Sequence, residues 1–341
     1  MTDTAYESEA ARERAARRAA QRRQPPRSLI QWGDETDPLE TEEREAAKEE
    51  SDQRARFFSG AADATPIVGV QSDDGHVFLV RTGEKGEGRL LFAKPGRPSA
   101  SVRRLRKAVS LLQELGRLRD DEPRVYVDIG SEVGATVLAA IRDHGFSRAV
   151  SVDTNPDRCR LLQANAVLAG VTDRVHVICA TVTDRDGLVV ERRKRAWGSY
   201  RVLRGDDAAS ALAKNRAVAV PHLTLDGLNG HDGVELEDVK LLRISGVPNP
   251  FEVLRAAKKL PTTAAVEVEF DPQVLQKRAR FQEIVEFLNE RFPSLVDLNV
   301  RARDVIVTDS ALVASIAERH VQAREKVPAQ LLLFNAEPAR R

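Results

Sequence analysis

Between residues 124 and 291 short apolar runs alternate with amphipathic stretches, and this alternation restricts the possible folds more than anything else in the chain. The runs at 124–128, 148–153, 174–179, 239–244 and 263–270 read as strands. The stretches at about 134–143, 157–169, 250–258 and 272–291 carry apolar residues at helical spacing. Strand and helix in strict turn predict an α/β fold, a Rossmann-like, mainly parallel sheet with helices on both faces. The pattern breaks between 187 and 235, where Gly-Ser, Gly-Asp-Asp and Asn-Gly turns flank a strand near 217–224. Loops that shape a substrate site are expected in that insertion.

Other segments frame this core. Residues 1–57 form a charged arm with seven arginines between Arg12 and Arg27, followed by ten acids between Asp34 and Asp52. So few apolar residues cannot offset the entropy of ordering, so the arm is expected to be disordered, with transient helices at most. Residues 58–98 read as a small β element, "PIVGVQSDDGHVFLVRT" and "GRLLFAKPG" being short strands split by glycine turns. Residues 99–341 hold the strand-helix domain, a helical lead-in in "SASVRRLRKAVSLLQELG" and a C-terminal extension. In the lead-in, Ser99 or Ser101 suits the helix start and Gly116 its end. After Arg291, "SLVDLNV" and "DVIVTD" are expected as an antiparallel pair, then a helix at about 310–326 and the apolar run "LLLFN".

Composition excludes several classes. Net charge is +1, which gives no global field toward nucleic acid or membrane. Aromatics are 5% of residues, few for stacking bases, and no Asn-Pro-Pro-aromatic motif occurs, which argues against a nucleic-acid partner. Two cysteines, Cys159 and Cys179, make neither a disulfide framework nor a CxxC zinc pair, and the six histidines are scattered, so no metal is expected. The polar start and the absence of a long apolar run point to a reduced, cytoplasmic protein without a membrane partner.

The candidate site begins at "VYVDIGSEVG", residues 125–134. A dinucleotide loop of the G-x-G-x-x-G kind holds a pyrophosphate on backbone amides. Aligned on Gly130, this stretch has Asp128 at the first position and Val133 at the third. A carboxylate there repels a diphosphate and favours a ligand with a positive centre, such as S-adenosylmethionine. Gly130 lets the backbone turn close to the ligand, and Gly134 lets the following helix pack tightly. In "AVSVDTNPD", Asp153 ends the next strand, 23 residues after Gly130, where a carboxylate can accept both hydroxyls of a ribose diol. Asn155-Pro156 then opens a helix.

Five segments together resemble the FkbM-type, class I S-adenosylmethionine-dependent methyltransferases. "YVDIGSEVG" is similar to their glycine motif, and "VDTNPDRCRLLQANAVLAGV" to their acidic-loop helix with its Asn, here Asn165. "VHVICATVTDRDG", "VPHLTLDGL" and "VKLLRISGVPNPFEVLRAAKKL" resemble the third-strand, Thr-Leu-Asp and late-strand segments. The resemblance covers somewhat under half the chain, from about 124 to 270. It implies S-adenosylmethionine as cofactor, held by Asp128, Gly130, Gly134, Asp153, Thr154, Ala180 and Thr181, and a hydroxyl acceptor on a small molecule or glycan. The late strand departs from the family pattern: Ser245, Val247 and Pro250 stand where the family carries Asp, Glu and Glu. This opens a second reading, a cofactor-binding or scaffold protein that has lost the chemistry. Of the groups left as a general base, His222 is the candidate, while Glu267 and Glu269 share one strand face with at most one facing the pocket. "ERRKRAW", 191–197, is a cationic cluster suited to a substrate phosphate or carboxylate, or to a solvated loop.

Overall fold

The computed structural model describes residues 38–72, 75–96, 98–119, 121–184, 187–193, 200–203, 205–214, 216–231, 235–247, 250–270, 281–299, 308–309, 313 and 329–335. The chain divides into two compact units, residues 1–50 and 51–341. In the first, the described residues are helical from Pro38 onward, the start of helix α1, Pro38–Gly60. The part of α1 from Ser51 on belongs to the second unit, in which Phe58 is fully buried with its ring 5.2 Å from that of Phe92. Ordered helix thus precedes residue 58, where the sequence suggested a boundary; residues 1–37 lie outside the described ones.

The central sheet has eight strands. In spatial order they are β13 (Thr308–Asp309), β12 (Ser294–Asp297), β14 (Ala329–Phe334), β11 (Ala265–Phe270), β10 (Val239–Ile244), β3 (Val125–Ile129), β4 (Arg148–Asp153) and β5 (Val175–Cys179). The five from β11 to β5 are parallel neighbours, and β14 runs antiparallel to both β11 and β12. Helices α4 (Ala135–Asp143) and α5 (Pro156–Leu168) make the crossovers β3 to β4 and β4 to β5. From β3 the next strands move one way, and β10 and β11 lie on the other side. This is a Rossmann-like sheet, with its topological switch between β3 and β10.

Burial explains the apolar runs. Every residue of β3 is buried, as expected for a central parallel strand covered on both faces. Val127, Ile129, Leu242, Ile244, Val266 and Val268 face one core, while Tyr126, Leu241 and Ala265 face the other. The second core is closed by helix α3 (Ala100–Glu114), whose Val102, Leu105, Val109 and Leu112 form the expected stripe. Ser99 caps it by accepting from the Val102 N–H at 3.1 Å.

The small N-terminal element is a hairpin of β1 (Ile67–Gln71) and β2 (Val77–Arg81) followed by α2 (Glu87–Ala93). "GRLLFAKPG" is therefore helical where the sequence suggested a strand. The two-stranded hairpin is already complete, and the Glu87 N–H at the head of α2 is held by the Glu132 carboxylate at 2.5 Å. Asn165 fastens the hairpin to the domain. Its Oδ1 accepts from Leu79 N–H at 2.7 Å, and its Nδ2 donates to the carbonyls of Leu79 and Val133 at 3.2 and 2.9 Å.

The insertion is a second sheet, which the broken pattern did not reveal. Its order is β6 (Thr181–Val182), β9 (Ala217–Leu223), β7 (Gly187–Arg193) and β8 (Tyr200–Leu203), with helix α6 (Gly205–Ala213) between β8 and β9. Further on come helices α7 (Pro250–Ala256) and α8 (Phe281–Arg291). β12 and β13 pair antiparallel as expected, and "LLLFN" belongs to β14, the strand that joins them to the sheet. The first half of the helix expected at 272–291, most of the one at 310–326, and residues 194–197 of the cationic cluster lie outside the described residues.

Candidate functional site

At a topological switch, loops from the carboxyl ends of neighbouring strands part in opposite directions and leave a crevice for a ligand. Here the loops after β3 and β10 meet at that point. Gly130 has φ +81°, and a β-carbon on it would collide with the Ser245 carbonyl oxygen, while Ser245 N–H donates to the Ile129 carbonyl at 2.9 Å. Gly130 is thus required first by the approach of the late strand's own backbone. Gly134, φ +86°, precedes α4, and a β-carbon there would lie 2.8 Å from Leu162 Cγ. That is the tight helix packing expected of it.

Asp128 does not stand at the loop mouth. It is fully buried, its Oδ1 takes a hydrogen bond from Arg243 Nη1 at 2.8 Å, and Thr136 Oγ1 donates to its other oxygen. In-register pairing lines up Asp128, Arg243 and Glu267 across β3, β10 and β11, and Arg104 of α3 reaches Glu267 at 3.3 Å. Burial pushes the Glu267 carboxyl up, against the pull of Arg243 and Arg104. The charge expected to select a cationic ligand is neutralised inside this layer. Position in the motif placed Asp128 at the mouth, but β3 aims it under α3 and α4, into the second core.

The acids at the mouth are Glu132 and Asp153. Glu132, the one described non-glycine residue with positive φ, +50°, sits within the glycine loop. Its backbone N–H donates to Asp153 Oδ2 at 3.1 Å, and Asn155 N–H donates to Asp153 Oδ1 at 2.8 Å. Asp153 ends β4 and is 5% exposed, and burial raises its carboxyl to about 6 although nearby Arg158 pulls it down. Thr154 follows it, and Ala180 N–H donates to the Asp153 carbonyl at 3.1 Å. Gly130, Gly134, Asp153, Thr154, Ala180 and Thr181 thus gather along the carboxyl ends of β3, β4 and β5. Among the residues assigned to the cofactor, Asp128 alone is turned away.

His222 lies near the end of β9, the strand expected near 217–224. It is buried on β9, in parallel register with Thr181 of β6 and opposite Gly187 of β7. That places it by the loop after β5, next to a residue assigned to the cofactor, and away from the ends of β10 and β11. At those ends stands Glu269, whose Oε2 accepts from Gly246 N–H at 3.2 Å. Glu267 is buried in the ionic layer and Glu269 is partly exposed, so only one of the pair faces the crevice.

No protein-family model matches the sequence, and no curated protein matches it at a significant level. Solved structures align with the chain at low identity. An O-methyltransferase from Bacillus cereus, solved in complex with SAH, aligns at 16% identity over 69% of this chain and 80% of its own, TM-score 0.34. A precorrin 8w decarboxylase from Methanobacterium thermoautotrophicum aligns at 18% identity over 67% and 90%, TM-score 0.31. A putative transferase from Pyrococcus horikoshii aligns at 10% over 85% and 86%, TM-score 0.39. None of these likenesses carries a functional conclusion for this chain. Among the described residues no His, Cys, Asp and Glu group could hold a metal ion, and no helix is long and apolar enough to cross a membrane.

Proposed function

We propose that the chain binds S-adenosylmethionine at the β3–β10 switch and transfers its methyl group to a hydroxyl of a small molecule or glycan. Asp153 carries this reading. It is a desolvated carboxylate at the end of β4, tied through Glu132 N–H to the glycine loop. Each of its oxygens accepts one backbone hydrogen bond, which leaves a lone pair on each for a ribose hydroxyl. Thr154, Ala180 and Thr181 would line the nucleoside beyond it, and Gly130 and Gly134 would shape the turn beneath. The run of five FkbM-like segments supports the same reading at the level of the subfamily.

When bound, the cofactor supplies a methyl group on a positively charged sulfur. The protein's part is to align the acceptor and to take its proton. Glu269, at the crevice end of β11, is the described acid best placed for the latter, because its carboxylate already bonds the first residue after Ser245. His222 remains a second candidate, through contact with the nucleoside side by way of Thr181. A methyl-release assay on a panel of hydroxyl acceptors separates them. Glu269→Gln is expected to lower turnover by about 10²–10⁴-fold, the range for a lost base, with binding unchanged. If His222→Ala does so and Glu269→Gln does not, the assignment reverses.

A second reading is favoured by Ser245, Val247 and Pro250, which leave the end of β10 without carboxylates, and by the sequestration of Glu267. In it the chain binds the cofactor and transfers nothing. Saturable binding with no methyl release from any acceptor would select it.

A further inference from the structure

Arg158, on the first turns of α5, is buried and surrounded by acids from three elements. Its Nε donates to Glu84 Oε2 of the N-terminal element at 3.1 Å. Its Nη1 lies 3.9 Å from Glu132 Oε1 of the glycine loop and 3.9 Å from Asp153 Oδ2 of β4. Three carboxylates thus share one guanidinium, and two are themselves almost fully buried. The remaining oxygen of Glu84, Oε1, is buried with no hydrogen-bond partner. Burial raises the Glu84 carboxyl, as it does that of Asp153.

The other titratable groups around Asp153 are accounted for. Arg81 of β2 is bonded to Asp157 at 2.7 Å. Cys159 donates its thiol hydrogen to the Asp153 carbonyl at 3.3 Å, and its thiol is pushed up by a hydrogen bond with Cys179 and by burial. Arg158 lies within 4 Å of the Asp153 carboxylate and pulls it down against the effect of burial, so the charge state of Asp153 responds to it.

We propose that Arg158 is a positioning residue that keeps Asp153 ionised to accept hydroxyls, and that Glu84 limits this by drawing the guanidinium toward the N-terminal element. The inference rests on the reading that Asp153 receives a ribose diol. It makes the β1–β2–α2 element, which lies outside the Rossmann-like sheet, part of the nucleoside site. An opposite charge at this range lowers a carboxyl by one to three pH units, enough to decide the state of Asp153 near neutral pH.

The test is calorimetry from pH 5 to 8.5 with 5′-methylthioadenosine, which bears the diol and no group titrating in that range. The native protein should bind more weakly below about pH 6, as Asp153 protonates. Arg158→Gln should move that midpoint up by about one pH unit or more, so that affinity lost at pH 7 returns by pH 8.5. Arg158→Lys should fall between, and Glu84→Gln should move the midpoint down. If all midpoints coincide and affinity falls equally at every pH, the role of Arg158 is structural and the inference fails alone. If the native protein binds neither this probe nor S-adenosylmethionine, the functional reading fails with it. Should Arg158→Gln not fold, Arg158→Lys and Glu84→Gln still decide by the direction of their shifts.

Discussion

Two residues show how backbone and solvent, more than residue type, set what this site can do. Gly130 is held at φ +81° under the Ser245 carbonyl. Gly130→Ala is expected to cost at least ~2 kcal/mol, strain plus displacement of the late strand, and to lower the thermal midpoint in the absence of ligand. A midpoint unchanged to within a degree would mean that the two loops part freely. Asp153 has the opposite liability, a carboxylate held out of water. Its folded value near 6 lies above the ordinary 3.8, so the stability it contributes is complete below about pH 4 and is lost as pH rises through 6. Glu84, Glu87 and Glu267, raised in the same direction by burial, add to this loss. The ligand-free protein should therefore gain stability from pH 7 toward pH 5, and Asp153→Asn should flatten that slope. An unchanged slope in Asp153→Asn would show that the other acids cause it. The sequence made Asp153 visible because an acid at a strand end, a weak signal alone, is fairly specific when it follows the glycine loop by 23 residues. It misplaced Asp128 and passed over Glu132, Arg158 and Glu84. Whether a carboxylate meets a ligand or an arginine depends on which residues from distant segments come to lie beside it.

At the scale of elements, the five central strands and the crossover helices were legible because burial on both faces leaves long apolar runs. The second sheet was legible only in part: the strand near 217–224 is β9, while β6 and β8, of two and four residues, are too short to leave a pattern. α2 was misread because seven residues with two leucines and a phenylalanine suit a strand as well as a helix, and only contact with Glu132 separates them. Asn165 makes three of the hydrogen bonds that attach the hairpin, beside the Arg81–Asp157 and His76–Asp143 pairs. Asn165→Ala removes three hydrogen bonds and leaves the Leu79 N–H and the Val133 carbonyl unpaired in or near the core. At about 1–3 kcal/mol for each buried group left unsatisfied, the loss should be roughly 2–5 kcal/mol in denaturant unfolding. A loss below 1 kcal/mol would indicate that β2 docks by its apolar face and the Arg81–Asp157 pair. Asn165 was noticed through family resemblance, and its physical task, joining the hairpin to the glycine loop, became clear only from the fold.

The chain divides into two compact units at residue 50, and the division is testable. Removing residues 1–50 should leave the thermal midpoint of the remainder unchanged, because the segment is charged and holds few residues to bury. Removing residues 1–60 takes away Phe58, which is fully buried against Phe92, and should cost about 3–5 kcal/mol. Equal midpoints for the two truncations would contradict this division. The larger claim is that residues from three regions, the N-terminal element, the glycine loop and the β4 end, converge on one nucleoside site centred on Asp153. Calorimetry with S-adenosylmethionine on the native protein and on Asp153→Ala tests it most directly. Saturable binding, weakened in the variant by roughly 1.5–3 kcal/mol, the scale of hydrogen bonds to a charged group, is the expected result. Equal affinity in both proteins, or none in either, would contradict it.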